Sequence, residues 1–172
     1  MSVLPIRIYG DPVLRQVCAP VGLGDDVRKL AADMIETMYD APGRGLAAPQ
    51  VGQALRMFVM DARWKDSGDR APLVVINPEI VERSDQLVEN DEGCLSIPDQ
   101  YADVTRPAEV DVRWLGLDGE THEEHFAGLW ATCVQHEIDH LDGKLFIDYL
   151  KPLKRQLITR KMQKLKRERS RA

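Results

Sequence analysis

His136 and His140, with Glu137 between them, form the pattern His-Glu-x-x-His, which on a helix sets two imidazoles four positions apart on one face. Two metal ligands and a general base are implied by five residues. Glu137, one step round from His136, can reach a water in an open coordination position without ligating the ion itself. The chemistry this serves is metal-assisted hydrolysis.

Such a pattern works only if the surrounding chain is helical, and the sequence supports that. Leu129, Thr132, Cys133, His136 and His140 fall on one stripe, and Gly143 after Asp142 is a natural stop signal. The same stripe proposes Leu129, Thr132 and Cys133 as lining for an apolar pocket beside the histidines. An earlier helix is predicted from Val27, Leu30, Ala31, Met34, Ile35 and Met38, with Asp25 or Asp26 as cap and Pro42-Gly43 as its end. Between the two helices, Leu55 to Asp61, Leu73 to Ile76 and Ile80 to Val88 read as strands, the last starting after Asn77-Pro78. Val110, Val112 and Trp114 alternate with charged residues, and Gly116 to Gly119 supplies a turn before a returning strand near His122 to Phe126. A final amphipathic helix is expected from Leu150, Leu153, Leu157, Ile158, Met162 and Leu165, docked at its start and frayed after Lys166. Asp66 to Arg70 reads as an exposed loop. The expected class is α+β: mostly antiparallel strands around a central metal-binding helix, with an N-terminal and a C-terminal helix, in one domain spanning 1–172.

A catalytic ion needs a third protein ligand. The position six residues after His140, where one class of these sites has a further histidine, is Phe146, and the only glutamate after His140 is Glu168 in a basic tail. The ligand therefore comes from upstream, where His122, His125, Cys133 and Cys94 are candidates. Cys133 also reads as a small core residue on the helix stripe. His122 and His125 lie on a polar, Glu-rich strand that points to solvent. Cys94, in Glu92-Gly93-Cys94-Leu95-Ser96, serves equally as ligand or as inert core thiol on spacing alone.

Three segments in register carry a resemblance. Gly43-Arg44-Gly45-Leu46-Ala47-Ala48-Pro49-Gln50, Glu92-Gly93-Cys94-Leu95-Ser96 and Gln135-His136-Glu137-Ile138-Asp139-His140-Leu141-Asp142-Gly143 resemble the three signature motifs of peptide deformylases, in the family's order. The basic C-terminal helix is similar to that of the family's bacterial class. The resemblance implies Cys94, His136 and His140 as metal ligands, and removal of the N-terminal formyl group from the methionine of new polypeptides, with release of formate. It implies Glu137 as the proton carrier, and the Gln50 amide and Leu95 backbone N–H as donors to the oxyanion. Gly45 is then expected to pair with the extended peptide as a neighbouring strand does. A thiolate with two imidazoles suits zinc or ferrous iron rather than magnesium or calcium. The resemblance implies Fe2+, with Zn2+, Ni2+ or Co2+ as substitutes. Arg44 and Asp142 occupy variable motif positions.

Composition bounds the setting. The 172 residues suit one ordinary domain, and three cysteines at wide spacings suggest reduced thiols rather than a disulfide scaffold. With no signal-like or membrane-spanning segment, the expected location is the cytoplasm. The net charge of −5 divides unevenly: residues 151–172 hold ten Lys or Arg against Glu168, leaving 13 of 23 basic and 27 of 28 acidic side chains in the rest. A tail of +9 on a body of −14 invites a polyanionic partner for the tail, and the resemblance implies the ribosome. The expected state is a monomer that binds neither membrane nor DNA. A metal-dependent peptidase, and a ribosome-binding factor with a closed structural metal site, are the rival readings.

Overall fold

The computed structural model describes residues 2–171. Helix α1 (Asp25–Asp40) buries Val27, Ala31, Met34 and Met38 along one side, as their three- and four-residue spacing requires. Its N-cap is Gly24, with no side-chain cap bond, so neither Asp25 nor Asp26 caps it. Both acids sit instead in the first turn, where negative charge complements the helix dipole.

Strands β1 (Gly45–Ala47), β2 (Met57–Met60), β3 (Leu73–Arg83), β6 (Glu109–Leu115) and β7 (Thr121–Ala127) form an antiparallel sheet in the order β1-β2-β3-β6-β7. Strands β4 (Leu87–Cys94) and β5 (Ile97–Pro107) form a separate antiparallel hairpin. Helix α2 (Trp64–Ser67) is a single turn, α3 (Gly128–Leu141) carries the histidine pair, and α4 (Pro152–Ser170) ends the described chain. The α+β expectation with antiparallel strands holds.

Strand β2 explains the layering. Met57 and Val59 pack with Val27, Met34 and Met38 of α1, whereas Phe58 and Met60 pack with Val134, Ile138 and Leu141 of α3. Alternation along one buried strand thus places a helix on each face of the sheet. A third cluster joins Ile97, Ala102 and Val104 of β5 to Leu145, Phe146 and Ile147 and to Ile158 and Met162 of α4.

Several boundaries differ from the sequence reading. Ile80 to Val88 is not one strand: β3 runs through Asn77-Pro78, and the chain turns between Arg83 and Leu87. Asn77 adopts φ 50° at a register shift between Ile76 and Glu79. Its side chain bonds the backbone of Val21 in both directions, at 2.9 and 2.8 Å. Pro78, with no N–H to offer, is tolerated at such a bulge. Strand β5 was not foreseen at all. Asp66 and Ser67 belong to α2 rather than to a loop, although the segment is exposed. Helix α4 continues to Ser170 instead of fraying at Lys166, through residues of good helix propensity. Its docking stripe is Ile158 and Met162; Leu153 near its start is 71% exposed.

Candidate metal centre

Cys94 ends β4, and a two-residue turn, Leu95-Ser96, returns the chain into β5. That sharp return brings the thiol against α3. Cys94 Sγ lies 3.4 Å from His140 Nε2, and one donor atom from each of Cys94, His136 and His140 lies within 4.8 Å of the others. Ligand bonds of about 2.0–2.3 Å in a tetrahedral array separate donor atoms by roughly 3.5 Å, so the spacing fits an ion. Among the described residues this is the only such group of three. Cys133 is not part of it, since its Sγ approaches the Arg44 carbonyl at 3.5 Å. His122 and His125 lie elsewhere, paired with Asp118 and with Asp111 and Glu109.

The two histidines are held differently. His136 Nδ1 bonds Glu92 Oε1 at 2.9 Å, which frees Nε2 for an ion. His140 Nδ1 is buried without a hydrogen-bond partner among the described residues. Burial disfavours the charged form of both rings. For His136 the hydrogen bonds with Cys94 and Glu92 outweigh burial and raise its pKa, while burial and then the neighbouring His136 drive that of His140 down.

Glu92 is fixed in turn by Arg106, whose Nε and Nη2 donate to its two oxygens at 2.6 and 2.9 Å. Arg106 Nη1 donates to Asp139 at 2.8 Å, and the Tyr149 hydroxyl donates to the same Asp139 oxygen at 2.8 Å. Burial opposes ionisation of Glu92, but the bonds from His136 and Arg106 prevail and hold its carboxyl below the ordinary value. Sequence reasoning gave Glu92 and Arg106 no role. Glu92 had a usable signal: two residues before Cys94 on a strand, it must share the face of the thiol.

Glu137 is 3% exposed, and one of its oxygens has no hydrogen-bond partner among the described residues. Burial pushes its carboxyl up to about 7. It lies directly against Gly45: a Cβ there would come within 2.8 Å of the carboxyl carbon and 3.0 Å of Cγ. Gly45 therefore has a steric task beyond offering its backbone. It pairs with Met60 of β2, and because β1 is the end strand of its sheet, its other edge carries no strand.

Gln50 is oriented by two sets of bonds. Its Oε1 accepts from Ala47 N–H at 2.9 Å, so Nε2 faces Ser96 Oγ at 3.1 Å and Cys94 Sγ at 3.5 Å. The N-terminal segment closes this region from behind. Arg7 N–H donates to the Gln50 carbonyl at 2.7 Å, Tyr9 N–H to the Ser96 carbonyl at 2.8 Å, and Cys18 N–H to the Leu141 carbonyl at 2.8 Å. Gly143, at φ 73°, packs so closely there that a Cβ would stand 2.6 Å from the Arg15 carbonyl oxygen.

A cleft of about 450 Å³ opens over the cluster. Of the residues singled out from sequence, Gly45, Gln50, Cys94, Leu95, His136 and Glu137 line it, as do Leu129, Thr132 and Cys133. His140 lies behind them. The Thr132 hydroxyl accepts from Asn90 Nδ2 at 3.2 Å. A buried carboxylate, an imidazole, a thiol and an aimed amide donor on one cleft, with the second imidazole behind them, are equipped to hydrolyse an acyl bond on a divalent ion.

Known proteins share the pattern. A family model described as polypeptide deformylase matches residues 3–156. The peptide deformylase of Brucella suis biovar 1 (strain 1330) is 53% identical over 171 residues, covering 99% of this chain and 97% of that protein. The crystal structure of a peptide deformylase from Legionella pneumophila superposes with a TM-score of 0.90 at 42% identity, over 99% of both chains. One from Synechococcus elongatus in complex with actinonin gives 0.86 at 41% identity, over 92% of this chain and 86% of that one. No described helix is long and apolar enough to cross a membrane. With motif order, ligand cluster and full-length similarity in agreement, the chain belongs to the polypeptide deformylase family.

Proposed function

We propose that Cys94, His136 and His140 hold the divalent ion of a deformylase and that Glu137, Gln50 and Leu95 carry the chemistry beside it. The protein is a metal-dependent hydrolase that removes the N-terminal formyl group from formyl-methionine of newly made polypeptides, releasing formate. The observation that carries the site assignment is the convergence of three donor atoms within 4.8 Å at the floor of a cleft that Glu137 also lines. A thiolate and two imidazoles suit zinc or ferrous iron, and the family resemblance implies Fe2+, with Zn2+, Ni2+ or Co2+ as substitutes. When bound, such an ion acidifies a water and polarises the formyl carbonyl.

The chain's own residues do the rest. Glu137 takes a proton from the attacking water as its oxygen joins the formyl carbon, and returns a proton to the nitrogen as the C–N bond breaks. A buried carboxyl with a pKa of about 7 is matched to accepting and releasing that proton near neutrality. Gln50 Nε2 and the Leu95 backbone N–H stabilise the oxyanion, at roughly 3 kcal/mol for one such donor in well-studied sites. Gly45 pairs with the extended peptide along the open edge of β1, and Leu129, Thr132 and Cys133 receive the methionine side chain.

Glu137→Gln is expected to keep its metal, measured by elemental analysis after anaerobic purification, while formate release from a formyl-methionyl peptide drops at least about a hundredfold. Full turnover would sink the proton-carrier role. Cys94→Ala is expected to lose the metal; if Cys133→Ala loses it instead, the thiol assignment is wrong.

The whole chain acts as one catalytic unit, as a monomer in the cytoplasm, with α4 as its contact to ribosomal phosphates. Its eight cations against one acid favour that reading. Because Ile158 and Met162 are core residues, truncating the helix would damage the fold. Reversing exposed Lys161, Lys164 and Arg167 to Glu is the cleaner test, and unchanged salt-sensitive ribosome co-sedimentation would refute it.

A further inference from the structure

One wall of the cleft carries positive charge that the hydrolysis does not use. Arg44, between the cleft-lining Gly43 and Gly45, and Lys65, in α2, both line it. Arg44 Nη1 donates to the Ala62 carbonyl and lies 3.6 Å from Asp66, which Arg63 also approaches at 3.5 Å. Lys65 is in no ion pair among the described residues, and its Nζ lies over the Trp64 ring, 6.0 Å from the centroid. Burial, and then the charge of Arg44, make Lys65 a weaker base than usual. Two arginines thus share the Asp66 carboxylate, and Lys65 beside them has none.

Strand alternation decides which part of a substrate meets it. The Cβ direction of Gly45 points at Glu137, and Ala47 packs with Val134 and Ile138 of α3, so both positions face α3. Leu46 packs with Met34 and Met38 of α1, so Arg44 and Leu46 face the opposite side of β1. A peptide extended along the open edge of β1 alternates in the same way. With its methionine side chain directed to Leu129, Thr132 and Cys133 of α3, its second residue is directed to the side of Arg44 and Lys65.

We infer that Arg44 and Lys65 select an acidic side chain at the residue immediately after formyl-methionine, an inference that rests on the function proposed above. The opposite wall reinforces it. Asp91 and Asp99 line the cleft there, and neither is in an ion pair among the described residues. They repel an acidic side chain toward the Arg44 side.

The test is formate release by the metal-loaded enzyme from formyl-Met-X-Ala-Ser peptides with X as Glu, Ala or Lys. Equilibrium binding of the unformylated Met-Glu-Ala-Ser and Met-Lys-Ala-Ser peptides is read in parallel by titration calorimetry. At low ionic strength kcat/KM for Glu should exceed that for Lys by about five- to tenfold, mostly through KM, and the ratio should shrink as salt rises. Lys65→Glu should invert the order, and Arg44→Ala should reduce the ratio. Equal rates, or a preference for Lys, in an enzyme that releases formate overturn the charge selection alone. No formate from any peptide overturns the proposed function instead, and calorimetry then still reads whether the cleft prefers the acidic peptide.

Discussion

In the β4–β5 hairpin Arg106 is 4% exposed and grips Glu92 and Asp139; in the β6–β7 hairpin Arg113 is 49% exposed and lies beside Glu123 and Glu79. Both are antiparallel hairpins studded with charge. The surroundings differ: α3 and the Phe146–Tyr149 turn shield the first from water, while the second presents its charges to solvent. An ion pair in water gains little, because its partners give up hydration and side-chain freedom for a screened attraction. A buried pair gains little net stability either, but it cannot be broken singly without leaving a bare charge inside. The β4–β5 pair therefore fixes geometry, and the geometry it fixes is that of His136.

The largest test of this contrast is Arg106→Met, which leaves Glu92 and Asp139 uncompensated. It is expected to cost about 3–5 kcal/mol in urea unfolding. If it costs no more than Arg113→Ala, the contrast collapses. Glu92→Gln should be milder for stability, yet weaken metal retention about 10- to 100-fold in a chelator competition, since an amide orients His136 less firmly. Arg113→Ala should stay below about 1 kcal/mol.

The smallest effect is tied to pH. His125 is exposed between Asp111, at 2.6 Å from Nδ1, and Glu109, at 3.2 Å from Nε2, and these bonds raise its pKa. A raised folded value means that its contribution is fully present below the unfolded pKa of about 6.5 and disappears as pH climbs through the folded value. The difference in melting temperature between the parent and His125→Gln should therefore be largest near pH 5–6 and vanish in mild alkali. A difference constant across that range would show that the imidazole's charge is irrelevant.

The same contrast explains what could be read from sequence. Helices α1 and α3 announced themselves because their buried positions are apolar and repeat at helical spacing. The alternation of Val110, Val112 and Trp114 marked β6 for a similar reason. Strand β5 was hidden because its buried face reads Ala102, Val104, Arg106: one small residue, one β-branched and one cation. An arginine at an inward position looks like a surface residue until its two carboxylates, on β4 and α3, are folded onto it. The grouping of Cys94, His136 and His140 was legible through motif order, whereas the support behind it depends on contacts between segments that no local pattern links. Asn77-Pro78 misled for the opposite reason: it has the chemistry of a break, and tertiary bonds to Val21 turn it into a bulge.

The stitching of residues 7–18 onto Gln50, Ser96 and Leu141 has a consequence for the order of events during synthesis. These residues leave the ribosome before their partners, which emerge progressively later, Leu141 last of the three. Closing such wide loops is entropically slow, and no local element rewards it early. Residues 7–18 must therefore wait, and the back wall of the centre closes only after Leu141 has been made. The wall behind the centre is thus among the last parts of this fold to close, although residues 7–18 are made early.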